Sequence, residues 1–351
     1  MLRIGLVGIG FMGWIHYLAA KRTEAAEIVA FASRDAAKRA GDWRGIQGNF
    51  GPPGEKIDVS GMRAYDGLEA LLADPDVDLV DLCLPPHQHE PAALAAFAAG
   101  KHVLVEKPMA LSAESCRRMV DAADAAGRRL FVAHVLPFFP EFAFALDALR
   151  RGAYGPLLGA TSMRTISDPT WLSDFWDEGR VGGPLIDLMV HDAHLVALLM
   201  GMPDRVSAVG RLRDGVVAYT QAVLRYDHAH RSAAIVGGVI GQQGRPFTHG
   251  FELQFETATL QFQSAGLADG AEVMPLKVLT ADGSVVRPGL PVADPVNAFV
   301  GELEDVAACL AENRPSVALE GRLARDAIRL CEAIRESVLA GGEVELATSA
   351  A

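Results

Sequence analysis

The chain begins with a short apolar segment that runs directly into a glycine-rich turn, and this junction limits the possible folds more than any other feature. Residues 2–7 are typical of a buried strand, and residues 11–21 of a helix. The glycines at the junction have the spacing GxGxxG, which lets the backbone turn tightly and approach a pyrophosphate at the helix N-terminus. We therefore predict a βαβ nucleotide-binding unit rather than an ordinary glycine-rich turn. The predicted nucleotide contacts of this turn are Gly8, Gly10, Phe11, Met12 and Gly13.

The order of apolar runs along the chain predicts two domains. As far as about residue 134, short strands alternate with helical stretches, which indicates right-handed βαβ units and a doubly wound parallel sheet. From about residue 155, apolar runs separated by turn signals indicate a largely antiparallel, open-faced sheet. We expect a Rossmann domain at 1–134 and an α/β domain for substrate binding and oligomerisation at 135–351. The final helices, near 295–313 and 318–340, could pack back on the first domain.

Composition excludes several classes of protein. The 351 residues carry a formal net charge of -12, which argues against nucleic acid and anionic membrane surfaces as partners. The four cysteines are far apart and form no CxxC pair, so we expect no disulfide framework and no zinc site. A leader peptide is disfavoured by the glycines of the N-terminal run, and no segment has the roughly 18 apolar residues of a membrane span. A reduced, cytoplasmic setting is expected.

The end of the second predicted strand bears on which nucleotide binds. For NAD, this strand usually ends in Asp or Glu, whose carboxylate bonds the ribose 2′-OH. Here it ends at Ser33 and Arg34, with Lys38 one helical turn further on. An arginine at this place can meet a 2′-phosphate, which favours NADP. NAD stays open, because Asp35 could take the usual role if the strand were longer.

The stretch VLVEKPMA, residues 103–110, ends an apolar strand in two opposite charges followed by a proline. One interpretation is a surface turn, because charges and proline are common where strands stop. The other is a catalytic lysine, Lys107, presented at the carboxyl edge of the parallel sheet. Pro108 would restrain the backbone of that lysine, and the Lys–Pro bond could be cis.

Two histidine clusters admit more than one interpretation. His87 and His89 follow the fourth strand, where a loop beside the cofactor is favoured over a metal pair. Asp187 and His191 are four residues apart, with His194 three further on, so a helix would place them on one face. They could form an orienting acid and a base, a metal pair or a plain core histidine. We predict no bound metal.

Together these motifs resemble the Gfo/Idh/MocA oxidoreductase family, to which glucose–fructose oxidoreductase and inositol dehydrogenase belong. The matching stretches are GLVGIGFMGWIH, AFASRDAAKRA, PPHQHEPAALAAFAAGKHVLVEKPMA, GGPLIDLMVHDAHL and the closing IRESVLAGGEVEL. The resemblance implies that Lys107 reaches the reacting carbon beside the nicotinamide and that Glu106 lies near the cofactor ribose. It also implies a catalytic role for His191 and Asp187. The cofactor contacts expected beyond the glycine turn are Ser33, Arg34, Lys38, Leu84, Pro85, His89, Glu106 and Lys107.

The expected function is an NAD(P)-dependent dehydrogenase or reductase acting on a sugar, a polyol or a related cyclic alcohol or ketone. Oxidising such an alcohol needs an acceptor for the hydride, a cation that stabilises alkoxide charge and a base that takes the proton. Two alternatives are a glycosidase that uses transient oxidation by bound NAD and a non-enzymatic NAD(P)-binding sensor. Retention of both Lys107 and His191 argues against the sensor.

Three further expectations concern the surroundings of this chemistry. A carbohydrate pocket is expected from residues just before the Asp187 helix, namely Arg164, Trp171, Asp174 and Trp176. The loop from Gly41 to Ser60 is longer than the family resemblance implies and could cover the cofactor or a partner subunit. A homodimer or homotetramer is expected, because one face of the second sheet would otherwise stay uncovered.

Overall fold

The structure is a computed structural model that describes residues 1–170, 172, 174–227, 230–291 and 294–346. It separates into two compact units. The first comprises Met1–Ala110, Glu114–Phe139 and the described residues of Val292–Arg325. The second comprises Leu111–Ala113, Pro140–Pro291 and the described residues from Asp326 onward. The first unit thus extends past residue 134 and includes a segment from near the end of the chain. The division into functional domains at residue 134 stays a prediction.

The regular elements follow the predicted order. The helices are α1 Phe11–Ala20, α2 Ala36–Arg39, α3 Leu68–Leu72, α4 His89–Ala98, α5 Ala113–Ala125, α6 Pro140–Arg150, α7 Val190–Met200, α8 Pro295–Ala311 and α9 Gly321–Ala340. The strands are β1 Leu2–Val7, β2 Ala26–Ala32, β3 Arg63–Tyr65, β4 Leu79–Leu82, β5 His102–Glu106, β6 Leu130–Ala133, β7 Leu157–Ser167, β8 Arg205–Arg213, β9 Val216–Tyr226, β10 Arg231–Ile240, β11 Phe247–Phe255, β12 Ala258–Leu267, β13 Gly270–Thr280, β14 Val285–Val286 and β15 Glu343–Glu345. Within the described ranges, no helix is long and apolar enough to cross a membrane.

The first unit contains a six-stranded, wholly parallel sheet in the order β3-β2-β1-β4-β5-β6. The burial of its strands agrees with a parallel sheet that is covered on both faces, because β4 and β6 are buried at every position. In the register of the sheet, Val7 pairs with Leu82, and Leu82 pairs with Val105. The carboxyl ends of β1, β4 and β5 therefore lie in one row, which brings the residues after them to the same edge.

The helix α8 completes the first unit, although it lies about 160 residues beyond β6 in the sequence. It packs against α1, where Phe299 contacts the ring of His16 with centroids 5.6 Å apart. Asp294 caps its N-terminus by accepting a hydrogen bond from the backbone N–H of Val296, and Pro295 occupies the first position. The apolar face of α8, with Val296, Phe299 and Leu303, is buried.

The second unit is built on a nine-stranded sheet in the order β14-β13-β12-β11-β7-β10-β9-β8-β15. All neighbours are antiparallel except the central pair of β7 and β10, so the prediction of a largely antiparallel sheet is confirmed. A π-helical turn, Pro184–Met189, leads into α7, and both pack on the middle of the sheet. The short strand β15, which follows α9, pairs with β8 at one edge.

Candidate active site

The glycine turn after β1 adopts a conformation that only glycine fits at two of its three positions. Gly8 has φ of 96°, and a Cβ there would lie 2.3 Å from the carbonyl oxygen of Cys83. A Cβ on Gly13 would lie 2.1 Å from the carbonyl oxygen of Gly8, so the missing side chain lets α1 close onto the turn. A Cβ on Gly10 would meet nothing within 4 Å. The turn is thus closely packed against backbone atoms at Gly8 and Gly13, and it leaves open space beside Gly10.

The first turn of α1 offers the kind of cradle that a pyrophosphate needs. Gly10 is the N-cap and supplies no side-chain hydrogen bond, and the first turn carries no acidic residue. The backbone N–H groups that begin this helix are therefore not capped by its N-cap side chain, and the helix dipole favours an anion there. The open space beside Gly10 fits a dinucleotide phosphate. When bound, a nicotinamide dinucleotide would supply the hydride chemistry, and the turn of Gly8 to Gly13 would hold its phosphates.

Two of the charged side chains after β2, Asp35 and Lys38, form hydrogen bonds to the backbone. The carboxylate of Asp35 caps α2 by accepting hydrogen bonds from the N–H groups of Ala37 at 2.8 Å and Lys38 at 3.4 Å. Lys38 donates from Nζ to the carbonyl oxygen of Ile9 at 2.6 Å, so it braces the glycine turn. Arg34 is exposed. Of the two basic residues predicted near a 2′-phosphate, Arg34 is exposed, whereas the ammonium group of Lys38 is already hydrogen-bonded to Ile9.

The long loop from Gly41 to Ser60 packs over the start of α1. Trp43 is fully buried against Trp14 and Tyr17, and Trp14 donates from Nε1 to the carbonyl oxygen of Pro52 at 2.9 Å. Gly48 lies so close to Phe11 that a Cβ would come within 1.9 Å of its ring. The loop is therefore held by an aromatic cluster beside the turn that Gly10 caps. Its predicted covering of the cofactor or of a partner stays a prediction.

The EKP segment stands at the carboxyl end of β5. Glu106 is the last strand residue and is buried, with its side chain 7% exposed. Its Oε2 accepts the backbone N–H of Lys107 at 3.0 Å, and the Lys107–Pro108 peptide is cis. Val7 and Val105 are separated by the single strand β4, and neighbouring strands lie about 4.8 Å apart. The ends of β1 and β5, which lead into the glycine turn and into Lys107, are therefore two strand spacings apart, about 10 Å along the sheet edge.

His89, a predicted cofactor contact, is directed at the backbone instead. It is fully buried, and its ring nitrogens face the carbonyl oxygens of Pro108 at 2.9 Å and Leu84 at 2.7 Å. Burial lowers the pKa of His89, an effect that these two carbonyls oppose. The residue thus joins the loop after β4 to the EKP segment. Contacts of Leu84, Pro85 and His89 with a cofactor stay predictions.

A buried polar cluster that sequence reasoning missed lies behind this edge of the sheet. His16, on α1, places Nδ1 2.7 Å from Oδ2 of Asp81 and Nε2 3.1 Å from Oε1 of Glu106. The Sγ of Cys83 lies 3.6 Å from the other oxygen of Asp81. His16 and Asp81 are each 1% exposed. The signal in the sequence was an imidazole inside an otherwise apolar helix, GFMGWIHYLAA, two turns from the predicted phosphate cradle.

The pKa values of this cluster are set by burial and by the surrounding charges. Burial alone lowers the pKa of His16, but the neighbouring groups, Asp81 first and then Cys83, outweigh burial and raise the pKa well above its usual range. Burial raises the pKa of Glu302, on α8, well above its usual range. Glu302 is fully buried, and its carboxyl oxygens have no hydrogen-bond partner among the described residues. Burial also raises the pKa of the Cys83 thiol, which keeps it neutral.

The donor atoms of His16, Asp81 and Cys83 lie within 4.8 Å of one another, a spacing that a metal ion also accepts. Both ring nitrogens of His16 already face carboxylate oxygens, so we interpret the cluster as a hydrogen-bonded network. This group is different from the two histidine clusters that the sequence singled out. Of the first of those, His87 is exposed while His89 faces two carbonyls.

Asp187 and His191 lie at a junction of two helical forms. Asp187 belongs to the π-helical turn, whereas His191 lies in the first turn of α7. The expectation of one regular α-helix through both is therefore wrong for the first part, because hydrogen bonds in a π-turn span five residues rather than four. Gly182 and Gly183, at φ of 88° and 63°, precede this turn. A π-turn inside a helix is frequent at functional sites.

The residue next to His191 anchors α7 to the sheet. Asp192 is 1% exposed and accepts hydrogen bonds from Ser162 Oγ at 2.5 Å and from Arg164 Nε at 2.7 Å. Both partners lie on β7. Arg164 is itself 4% exposed, and burial together with this arginine lowers the pKa of His249 to about 3. Arg164 thus holds the helix in place, and a role in binding substrate stays a prediction.

The other predicted substrate contacts are only partly described. Trp171 lies outside the described residues. Trp176 donates from Nε1 to Asp168 at 3.1 Å, and the guanidinium carbon of Arg213 lies 4.3 Å above its ring. Asp174 pairs with Arg180 at 2.9 Å. These contacts place Trp176 and Asp174 in polar surroundings near the surface of the second unit.

Comparison with known proteins agrees with both sheets. The NAD-binding Rossmann-fold domain of the Gfo/Idh/MocA oxidoreductase family matches residues 2–134, and the C-terminal domain of that family matches residues 142–261. The chain is 30% identical to the D-xylose 1-dehydrogenase (NADP(+)) 2 of Haloferax volcanii over 98% of both chains. It is 31% identical to the trans-1,2-dihydrobenzene-1,2-diol dehydrogenase of Mus musculus, over 64% of both chains.

Solved structures share the fold at lower identity. A levoglucosan dehydrogenase in complex with NADH and levoglucosan superposes with a TM-score of 0.79 at 21% identity, covering 99% of this chain and all of the other. The family matches and the full-length relative agree with a nucleotide-binding first domain. The chain therefore belongs to the Gfo/Idh/MocA family and is an oxidoreductase with a nicotinamide-dinucleotide-binding Rossmann domain.

Proposed function

We propose that this oxidoreductase transfers a hydride between a nicotinamide cofactor and a hydroxyl-bearing carbon of a sugar, a polyol or a related cyclic alcohol. The observation that carries the proposal is the shared sheet edge. The glycine turn that fits the cofactor phosphates follows β1, and Lys107 follows β5, with only β4 between them. Ligands of such sheets bind at the carboxyl ends of the strands. The relatives named for D-xylose, a dihydrobenzene diol and levoglucosan support a substrate rich in hydroxyl groups.

Lys107 is proposed to stabilise negative charge on the reacting oxygen. A positioned ammonium lowers the energy of a developing alkoxide, and such fixed charges act strongly where water is excluded. The backbone of Lys107 is held by Glu106 through the 3.0 Å hydrogen bond to Oε2. His89 holds the next carbonyl, that of Pro108. Two buried side chains therefore fix the segment that carries the ammonium group.

His191 is proposed to take or return the proton of the alcohol, and Asp187 to orient its ring. An imidazole changes charge near neutral pH, and a positioned acid or base contributes roughly 100- to 10,000-fold to a rate. The π-turn that carries Asp187 and the buried Asp192 on the other side of His191 determine how this short stretch is presented.

NADP is proposed as the preferred cofactor. Asp35 is the only carboxylate in the SRDAAKR segment after β2, and α2 uses it as an N-cap. The exposed Arg34 is then the charged side chain best suited to a nucleotide 2′ position, where it would favour a phosphate.

A homo-oligomer is also proposed. Val209 and Val223, on the adjacent strands β8 and β9, are 69% and 47% exposed. Val209 pairs with Gln221, two residues from Val223, so both valines point to the same face of the sheet. Val223→Glu should lower the mass seen by light scattering, whereas Val285→Glu, on the short edge strand β14, should not.

A substrate screen with a matched pair of variants tests the catalytic proposal. Sugars, polyols and cyclic diols are supplied with NADP or NAD, and absorbance of the reduced nicotinamide is followed. Lys107→Met should bind cofactor normally while turnover falls by orders of magnitude, and Lys21→Met, an exposed lysine of the same unit, should turn over normally. Glycoside cleavage with no net absorbance change would favour the glycosidase alternative. Normal turnover by Lys107→Met would show that EKP is only a structural turn.

A further inference from the structure

A continuous buried chain of polar groups leads from α1 to the backbone of Lys107. Asp81, on β4, bonds Nδ1 of His16 at 2.7 Å, and Nε2 of His16 bonds Oε1 of Glu106 at 3.1 Å. The second oxygen of Glu106 accepts the N–H of Lys107 at 3.0 Å. Each oxygen of the Glu106 carboxylate therefore has a partner, one from α1 and one from the segment it precedes. The side chain cannot rotate without breaking a buried hydrogen bond.

Hydrogen on both ring nitrogens of His16 would satisfy the contacts with Asp81 and Glu106 at the same time. A neutral imidazole has one N–H and one lone pair. A lone pair directed at a carboxylate oxygen would repel it, whereas a second N–H makes a charge-assisted hydrogen bond. A ring that donates to an oxygen on each side carries both N–H groups and is an imidazolium. Removing one member of such a buried set leaves the other charges without compensation, which costs more than losing a surface contact.

We propose that His16 is a positioning residue for the reaction: as an imidazolium between Asp81 and Glu106, it fixes the Glu106 carboxylate and thereby the end of β5 that presents Lys107. This rests on the proposed role of Lys107. His16 does not touch the reacting atoms in this arrangement. It acts through Glu106, and its loss should change the rate of the chemical step rather than the binding of cofactor.

The other groups that face His16 support this charge state. Cys83 follows β4 and stays a neutral thiol. Glu302 and Phe299 approach from α8, and burial raises the pKa of Glu302 and so favours its neutral form. The imidazolium then faces two carboxylates, one neutral acid and one aromatic ring. A third ionised carboxyl, that of Glu302 on α8, would add unbalanced negative charge to this buried site.

Kinetics of His16→Gln provide the first test. Glutamine keeps a polar side chain but cannot carry the charge, so kcat should fall about 10- to 100-fold, as expected for a small misplacement of a catalytic group. Cofactor Kd should stay within about twofold. His102→Gln is the control, because His102 lies at the opposite end of β5 and bonds the N–H of Arg129. The double variant His16→Gln, Lys107→Met should be no slower than Lys107→Met alone. The proposal would be overturned by an unchanged kcat in His16→Gln. It would also be overturned if the fold-losses in kcat of the two single variants multiplied in the double variant.

Nitrogen NMR of the histidine rings in the full-length protein tests the charge state without any activity. An imidazolium with both nitrogens protonated should persist at pH 8 and disappear in Asp81→Asn. If no such ring exists at pH 8, or if it persists unchanged in Asp81→Asn, the inference is wrong even where Lys107 proves catalytic. Conversely, an inactive substrate screen with the Asp81-dependent imidazolium present would refute the proposed function and leave the network standing. Stoichiometric zinc or manganese that His16→Gln fails to retain would make the cluster a metal site and overturn it.

Discussion

Glu302→Gln should make the protein less sensitive to alkaline pH. Glu302 is fully buried on α8, and burial raises its pKa well above the usual range. In the unfolded chain it ionises near its ordinary value, so between that value and the folded pKa the folded state holds one extra proton. The stability associated with this proton is complete below about pH 4.5 and is lost as pH rises towards the folded pKa.

The size of the effect follows from proton linkage. One proton held only by the folded state lowers the free energy of unfolding by about 1.4 kcal/mol for each pH unit. His16, whose folded pKa is also raised, adds a slope of the same sign above about pH 6.5. While the folded state keeps both extra protons, wild type should lose up to about 3 kcal/mol per pH unit above about pH 6.5, and Glu302→Gln about half of that. The amide replaces a carboxyl that has no hydrogen-bond partner among the described side chains, so the exchange itself costs little.

Urea unfolding at several pH values, followed by tryptophan fluorescence, measures these slopes. Glu304→Gln is the matched control, because Glu304 lies on the same helix but is exposed and accepts a hydrogen bond from Thr23. Its slope should equal that of wild type. If Glu302→Gln has the wild-type slope, or is destabilised more at pH 8.5 than at pH 6.5, then Glu302 is ionised in the folded protein and the argument fails.

Four further outcomes are expected. Arg34→Ala should weaken NADP binding about 10- to 100-fold, the value of one charge-assisted contact, and NAD binding little; equal losses in a titration of both cofactors would contradict the NADP proposal. Asp192→Asn should destabilise the second unit by about 3 to 5 kcal/mol in urea, because it leaves the buried Arg164 charge without its partner; an unchanged midpoint would refute this. Gly10→Ala should fold normally but bind cofactor weakly by fluorescence titration, whereas Gly13→Ala should lose thermal stability, since only the second Cβ meets backbone; the reverse order would exclude the cradle. Exhaustive chelation should leave turnover unchanged, and activity restored by zinc or manganese would overturn the prediction that no metal is needed.

The sheets could be predicted because their signals are local. The GxGxxG spacing identified β1 and the start of α1, and β1 begins and ends at the residues its sequence pattern indicated. The parallel sheet followed from the regular alternation of strand and helix, and the antiparallel sheet from turn signals at short intervals. The peptide at Lys107–Pro108, which the sequence allowed to be cis, is cis. Each of these inferences needs only residues close together in the sequence.

The buried network could not be predicted, because its members are joined only by the fold. His16, Asp81, Glu106 and Glu302 come from four elements and span 286 residues between the first and last. Alone, His16 reads as a tolerated polar residue in an apolar helix. The same limit applies to Arg164, whose buried pairing with Asp192 depends on the packing of α7 on β7. Backbone form is a further limit, since the π-turn at Asp187 has no distinctive residue pattern.

The return of α8 to the first unit affects how the chain acquires its structure during synthesis. The face of α1 that carries His16 is closed by Phe299 and its neighbours, which the ribosome adds only after strands β7 to β14 of the second sheet. At about 5 to 20 residues per second, that delay is roughly 8 to 30 s after β6 emerges. Throughout this interval the surface of α1 that α8 later covers is exposed to water, and water reaches the contact between His16 and Asp81. Maturation of the cofactor-binding unit therefore waits for about the last sixth of the polypeptide. A nascent chain stalled before residue 295 should be protease-sensitive at α1 even though all six of its parallel strands have been made.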